Sequence, residues 1–482
     1  MASRVPHLIA MEAIEPRASE WIPVYNPATG DVLGEVGLDD SEAVDLAVRT
    51  AKTAFAEWAA TSILERARVM FRYRDLLAAN RTELAALVTR EHGKILSDAY
   101  NEVGRGIEVV ELAASAPSLL KGEVLPQVAA GVETAMLRVP LGVVAGITPF
   151  NFPAMIPLWM IPLAIVAGNT FVLKPSERTP LTSLRLLELL HEAGLPEGVV
   201  NLVHGGRLVV DRILQHPEIK AVSFVGSQPV AHHVYQTASS TGKRVQALGG
   251  AKNFHVILPD ADRERTVESL VGSAYGSAGE RCLAGAVAIA IGSAGEWLAD
   301  AVRARAEILH VGNGAHDSVE MGPLIRDEHR ARVASYIERG VQEGARLVYD
   351  GRRHPVPQDG FFLGPSLFDG VSPEMTIARE EIFGPVLSLM HQPSLEAAVD
   401  LANQSRFGNT ATIYTQSGGA AQYFRDHIEA GMVGVNIGVA ASVAWFPFSG
   451  WKDSFYGDLH ATGMDGLLFY TERRVVTTRW SF

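Results

Sequence analysis

Apolar positions recur at helical spacing in the first quarter of the chain and at strand spacing after it. Behind the turn Asn26-Pro27-Ala28-Thr29-Gly30-Asp31, the polar pair Asp40-Ser41 precedes a run in which Val44, Val48, Ala51 and Phe55 share one face, the signature of a capped amphipathic helix. Leu84, Leu87 and Val88 mark a further helix that Gly93 stops, and Val103, Ile107, Val110 and Ala114 mark the next. Arg105 lies off that stripe, where a charged side chain is ordinarily solvated. From Val139 on, short β-branched runs at Gly142–Ile147, Thr170–Leu173, Val199–Val203 and Ala221–Val225 alternate with helical stretches such as Leu181–Ala193 and Leu208–Gln215. The alternation predicts strand-helix-strand units around a mainly parallel sheet. A second unit is predicted from Lys243, with strands near Val245–Leu248, Phe254–Leu258 and Val287–Ile291 and helices near Val267–Tyr275 and Trp297–Ala306. The stretch Gly466–Trp480 carries β-type residues and reads as a strand that pairs outside its own domain.

Length and composition narrow this picture. The 482 residues exceed what one hydrophobic core supports, so two or three domains are expected. A net charge of −12 gives no footprint for nucleic acid or an anionic membrane. The apolar stretches Leu141–Ile147 and Met155–Val166 are interrupted by Pro149, Pro153, Pro157 and Pro162, and both fall short of the ~20 residues that span a bilayer. The first residues lack the apolar run of a secretory signal, and a single cysteine cannot form an intrachain disulfide. A soluble, cytoplasmic protein without nucleic-acid or membrane partners is expected.

That one cysteine, Cys282, sits in Gly276-Ser277-Ala278-Gly279-Glu280-Arg281-Cys282. It is either a small buried hydrophobe or a nucleophile whose thiolate Arg281 favours. Ligands of doubly wound sheets collect beyond the carboxyl ends of strands, which directs attention to Lys174-Pro175-Ser176-Glu177-Arg178, Gly226-Ser227 and the turn Glu380-Glu381-Ile382-Phe383-Gly384-Pro385. Each has a plain alternative. Lys174 and Glu177 suit a surface ion pair, Gly226-Ser227 a turn and helix cap, and the two glutamates a solvated loop. His232, His233, His255 and His460 stand apart from any acidic or cysteine cluster, and no metal site is expected.

Together, Pro149-Phe150-Asn151-Phe152-Pro153, Lys174-Pro175-Ser176-Glu177, Phe224-Val225-Gly226-Ser227, Gly279-Glu280-Arg281-Cys282 and Glu381-Ile382-Phe383-Gly384-Pro385 resemble the motifs of the aldehyde dehydrogenase superfamily, in the same order. The resemblance covers nearly the whole chain. It implies an α/β fold with a Rossmann-type NAD-binding domain (1–120 and 141–247), an α/β catalytic domain (248–459) and a β-strand bridging element for oligomerisation (121–140 and 460–482). It also implies a homodimer or homotetramer. By the same resemblance Cys282 is the nucleophile, and the Asn151 amide with the Cys282 N–H binds the oxyanion. Lys174 and Glu177 hold the adenosine ribose, Ser227 a phosphate and Glu381 the nicotinamide ribose beside Phe383. Thr148, Phe150, Arg178, Gly226 and Gly249 flank the cofactor, and a carboxylate at Glu177 favours NAD over NADP.

Hydrolytic members of the superfamily carry a glutamate that activates water in a Glu-Leu-Gly-Gly-Lys type segment. Here Val245-Gln246-Ala247-Leu248-Gly249-Gly250-Ala251-Lys252-Asn253 places Leu248 at that position. Leucine is no base, which forfeits about 10²–10⁴-fold of general-base catalysis. Coenzyme A, a thiol that needs less help, becomes the expected acyl acceptor. Gly104-Arg105-Gly106-Ile107-Glu108, Arg244-Val245-Gln246-Ala247 and Phe446-Pro447-Phe448-Ser449-Gly450-Trp451-Lys452 are similar to the methylmalonate-semialdehyde dehydrogenase branch. In that branch, arginines at the positions of Arg105 and Arg281 hold the substrate carboxylate, and the thioester loses carbon dioxide before acyl transfer. Phe254, Leu283, Ala231 and Val439–Trp445 depart from the branch pattern, the first two and the last being expected near the acyl pocket. A hydrolytic enzyme for another carboxylate-bearing aldehyde, with Glu380 or Glu381 as base, and a non-catalytic relative are the competing readings.

Overall fold

The computed structural model describes residues 3–480. The run behind Asp40 forms the helix Glu42–Ala60 and buries Val44, Val48 and Ala51, with Asp40 Oδ1 accepting from the Ala43 N–H. Ile63–Ala79, Arg81–His92 and Leu96–Ala114 follow, and Gly93 ends the third of these four helices.

These helices cover an eight-stranded sheet ordered Glu12–Ile14, His7–Ile9, Val200–Leu202, Thr170–Lys174, Val143–Ile147, Ile219–Val225, Arg244–Leu248, Phe455–Gly457. Its five central strands are parallel, and the outer ones run antiparallel. Arg244–Leu248 therefore belongs to this first sheet rather than opening the second unit: Val225 pairs with Leu248 in parallel register. Nor is the stretch 248–459 confined to one body, because Phe455–Gly457 returns to the edge of the first sheet. The helix Met155–Val166 is apolar on every face and is buried along all but its first residue. Such an element is stable only inside a core, and here it fills the space between the sheet and Leu96–Ala114.

A second sheet of seven strands is ordered Arg346–Tyr349, Ser366–Asp369, Val386–Gln392, Gly285–Ile291, Asn253–Ile257, Thr410–Tyr414, Met432–Val435, parallel except at its first pair. A third, antiparallel sheet joins Thr471–Arg479, Val132–Pro140 and Glu123–Ala129. The terminal strand is thus shorter than expected. Gly463–Phe469 is a helix that buries Leu467 and Phe469 before the chain extends at Thr471. Among the described residues no helix is long and apolar enough to cross a membrane, and no group of three or more His, Cys, Asp and Glu side chains could hold a metal ion.

Candidate active site

Four segments leave the carboxyl ends of the first sheet's parallel strands together: Thr148–Asn151 after Val143–Ile147, Ser176–Arg178 after Thr170–Lys174, Gly226-Ser227 after Ile219–Val225, and Gly249 after Arg244–Leu248. From the second sheet's side come Gly279–Cys282, between the helix Arg263–Tyr275 and the strand Gly285–Ile291, and Glu381–Phe383, just ahead of Val386–Gln392. The edge-to-face pair of Phe150 and Phe383, with centroids 5.9 Å apart, bridges the two sides.

On the first sheet's side the side chains form a polar set. Lys174 Nζ donates to Glu177 Oε2 at 3.2 Å. Burial raises the Glu177 carboxyl, but Lys174, the Glu177 backbone N–H and Arg178 together outweigh it and leave it below the usual range. The buried Thr148 Oγ1 has no hydrogen-bond partner among the described residues. Ser227 heads the thirteen-residue helix Gln228–Ser240 without capping it through its side chain, so a hydroxyl stands beside free N–H groups at the positive end of a helix dipole. Uncommitted hydroxyls, an anchored carboxylate and a helix N-terminus fit the ribose hydroxyls and phosphates of a dinucleotide. Opposite them, Glu381 Oε1 accepts from the Ala251 N–H at 2.9 Å, and burial pushes this carboxyl up to about 7.

Cys282 lies where two cavities meet. The larger, about 210 Å³, is lined by Asp98, Arg105, Trp159, Arg281, Leu283 and Phe448 among others. The smaller, about 20 Å³, is bounded by Asn151, Leu248, Gly249 and Asn409. Asn253 and Asn409 side-chain amides each donate to the Cys282 carbonyl at 2.9 Å. Arg281 favours the Cys282 thiolate, as expected of a neighbouring cation, but is outweighed. Burial and then the Glu381 charge push the thiol up to about 12, against the opposing pull of the Cys282 and Leu283 N–H groups and Arg281.

The nucleophile loop is a strained turn. Ser277, Ala278 and Gly279 have φ of 49°, 53° and 73°, three consecutive residues in the left-handed region, at a cost of about 1–2 kcal/mol for each that carries a Cβ. Gly279 is obligatory: a Cβ there would stand 2.3 Å from the Gly384 carbonyl oxygen.

Asn151 is held on both sides. Its Nδ2 donates to the Glu280 carbonyl at 3.0 Å, and its own carbonyl accepts from Lys94 Nζ at 2.6 Å. Lys94 also donates to Glu102 Oε2 at 2.7 Å, and Glu102 Oε1 accepts from the Ala154 N–H at 2.8 Å. Neither Lys94 nor Glu102 was evident from the sequence. The Glu280 side chain was also missed: it is fully buried between His92 and His329, and burial pushes its carboxyl up to about 8.

Arg105 is no free surface arginine. Asp98, Glu102 and Arg105 fall at i, i+4 and i+7 of Leu96–Ala114, one face of the helix, and that face lines the larger cavity. This polar stripe opposite the apolar one was the available signal. Arg105 Nη1 donates to Glu108 Oε2 at 3.0 Å and its Nη2 to the Ala441 carbonyl at 3.3 Å. Of the departures from the branch pattern, Leu283, Val439, Ala441, Ser442 and Ala444 line this cavity. Phe254 does not, and opens instead on a separate recess with Arg379 and Met390.

The sequence profile of the aldehyde dehydrogenase family matches residues 14–476. The chain belongs to this family. As an aldehyde dehydrogenase it is an oxidoreductase of that superfamily. It is 54% identical over 477 residues to a malonate-semialdehyde dehydrogenase of Halalkalibacterium halodurans, covering 99% of this chain and 98% of that one. It is 55% identical over 457 residues to malonate-semialdehyde dehydrogenase 2 of Geobacillus thermodenitrificans, covering 95% of each. Its fold superposes on a crystal structure of methylmalonate-semialdehyde dehydrogenase from Oceanimonas doudoroffii with a TM-score of 0.97 at 47% identity, covering 100% and 99% of the two chains. A Sinorhizobium meliloti protein assigned as a methylmalonate-semialdehyde dehydrogenase, solved with NAD, gives 0.98 at 44% identity over 100% and 99%.

Proposed function

We propose that this aldehyde dehydrogenase oxidises malonate semialdehyde and methylmalonate semialdehyde with NAD and transfers the decarboxylated acyl group to coenzyme A, giving acetyl-CoA and propionyl-CoA. The observation that carries the reading is the setting of Cys282, with two arginines in the cavity on one side and Leu248 in the cavity on the other. The relatives named for these semialdehydes support the substrate class, and the NAD-bound relative supports the cofactor.

The Cys282 thiol gives its proton to water as its sulfur adds to the aldehyde carbon, while Arg105 and Arg281 bind the substrate carboxylate, for which a guanidinium fork is the matching shape. The second N–H of the Asn151 amide and the Cys282 N–H stabilise the developing oxyanion. NAD, when bound, supplies the hydride acceptor. Lys174 and Glu177 hold its adenosine ribose, Ser227 with Gly226 its phosphates, and Glu381 its nicotinamide ribose, with Thr148, Phe150, Arg178, Gly249 and Phe383 along the cleft. Oxidation leaves a β-carboxyl thioester on Cys282. Its carbon–carbon bond to the carboxylate breaks, carbon dioxide leaves, and the electron pair forms an enolate that takes a proton from water. The CoA thiol then attacks the thioester and Cys282 departs. Leu248 cannot activate water, so hydrolysis is slow. In this reading residues 1–120 and 141–247 bind the cofactor, 248–459 carry the nucleophile, and 121–140 with 460–482 join subunits.

The test is NADH formation from malonate semialdehyde with and without CoA. Without CoA a burst of about one equivalent per active site is expected, followed by a stall, and with CoA steady turnover to acetyl-CoA. Steady turnover in CoA-free buffer would remove CoA from the mechanism.

A further inference from the structure

The two arginines beside Cys282 are not equally free. Arg105 is half-exposed and shares its charge with Glu108 on its own helix. Arg281 is more enclosed, and its guanidinium is tied into a ring with two side chains from different elements. Its Nη2 donates to Asp98 Oδ2, its Nε donates to Ser277 Oγ at 3.1 Å, and Ser277 Oγ donates to the same Asp98 oxygen at 3.0 Å. Asp98 comes from the first turn of Leu96–Ala114, the helix that also carries Arg105. Ser277 comes from the left-handed turn ahead of the nucleophile. The guanidinium lies flat on Gly276, where a Cβ would stand 2.7 Å from Nη1.

The ring has a directional consequence. With Nε, one N–H of Nη2 and one N–H of Nη1, which reaches the Gly272 carbonyl at 3.5 Å, all engaged, one N–H remains free on each of Nη1 and Nη2. Arginine otherwise carries large rotamer freedom, and ordering it when substrate arrives would weaken binding. We propose that Asp98 is a positioning residue for recognition of the substrate carboxylate. Through Nη2 and Ser277 it fixes Arg281 over Gly276, so the guanidinium is ordered before the semialdehyde binds. Asp98 touches neither the aldehyde carbon nor the thiol. Its action is on affinity for the anionic end of the substrate, and it also couples the helix that bears Arg105 to the loop that bears Cys282. The inference rests on the carboxylate-bearing substrate class proposed above.

The experiment compares Asp98→Ala, Asp98→Asn and Ser277→Ala on malonate semialdehyde and on propanal, which has the aldehyde but no carboxylate. Asp98→Ala is expected to raise KM for malonate semialdehyde at least about tenfold with kcat within about threefold, and to shift KM for propanal less than about threefold. Asp98→Asn keeps an acceptor for Nη2 and should return KM for malonate semialdehyde to within about threefold of the parent. Should Asp98→Ala fail to fold, Ser277→Ala opens the same ring by a smaller change and is judged by the same criteria. An unchanged KM for malonate semialdehyde, or an equal rise on both aldehydes, overturns the proposal. So does a crystal structure of Asp98→Ala in which Arg281 still lies over Gly276. If the parent enzyme itself shows equal kcat/KM on the two aldehydes, the substrate reading falls first and this inference with it.

Discussion

The fate of a thioester on Cys282 depends on what stands in the small cavity behind it. Leu248 closes that space, buried at the end of Arg244–Leu248 and facing the same void as Asn151 and Cys282. Leu248→Glu would place a carboxylate there. It should raise CoA-independent NADH turnover by about 10²-fold, the lower end of the range for a positioned general base. Burial raises a carboxyl pKa, and only the ionised form is a base, so the gain should grow as pH rises. Steady-state rates in CoA-free buffer across a pH series check this, and a variant that still stalls after one turnover would show that water exclusion, not the missing base, controls release. At this scale the sequence was informative where chemistry follows residue type: Cys282, Asn151, Glu177 and Leu248 declare what they can and cannot do. Lys94 and Asp98 did not, because their importance lies in which backbone oxygen or guanidinium the fold brings to them.

Elements add what single residues lack, a fixed separation between groups far apart in sequence. The buried Lys94–Glu102 pair joins three of them: the end of Arg81–His92, the face of Leu96–Ala114, and the loop from Asn151 to Ala154 that opens into Met155–Val166. Removing one partner of a buried pair typically costs about 3–5 kcal/mol, because the other charge is left uncompensated. Lys94→Met should therefore lower stability by about that amount. Lys94→Met with Glu102→Leu should recover much of it in denaturant titrations yet remain slow in kcat, since the Asn151 carbonyl stays without its donor. A double variant that regained both would confine the pair to stability. The same scale explains where pattern reading slipped. The pattern groups Val245–Leu248 with the second unit, whereas the strand pairs in the first sheet, because periodicity identifies a strand without naming its neighbour. The pattern extends the terminal strand back over Gly466–Phe469 because Leu467, Leu468 and Phe469 suit either a strand or one buried helical turn.

For the molecule as a whole, the three-stranded sheet stands apart from both cores. Among the described residues Thr471–Arg479 pairs only with Val132–Pro140, so its other edge offers unpaired backbone groups. The sheet also exposes Val124, Leu125, Val128, Leu137, Val475 and Val476. An open edge and exposed apolar side chains on both faces of one small sheet are what a monomer avoids and a subunit interface uses. Under the proposed assembly these strands join copies of the chain, so Val475→Asp with Val476→Lys, which keeps the strand but removes its apolar surface, should reduce the mass in solution from a dimer or tetramer of 51.9 kDa chains to a smaller species. Light scattering on the eluting peak measures this. The cavity around Cys282 is built from the two larger sheets and the helices packed on them, so the burst of NADH per chain should survive the change. An unaltered mass would place the interface elsewhere, and a lost burst would show that the active site depends on the neighbouring subunit.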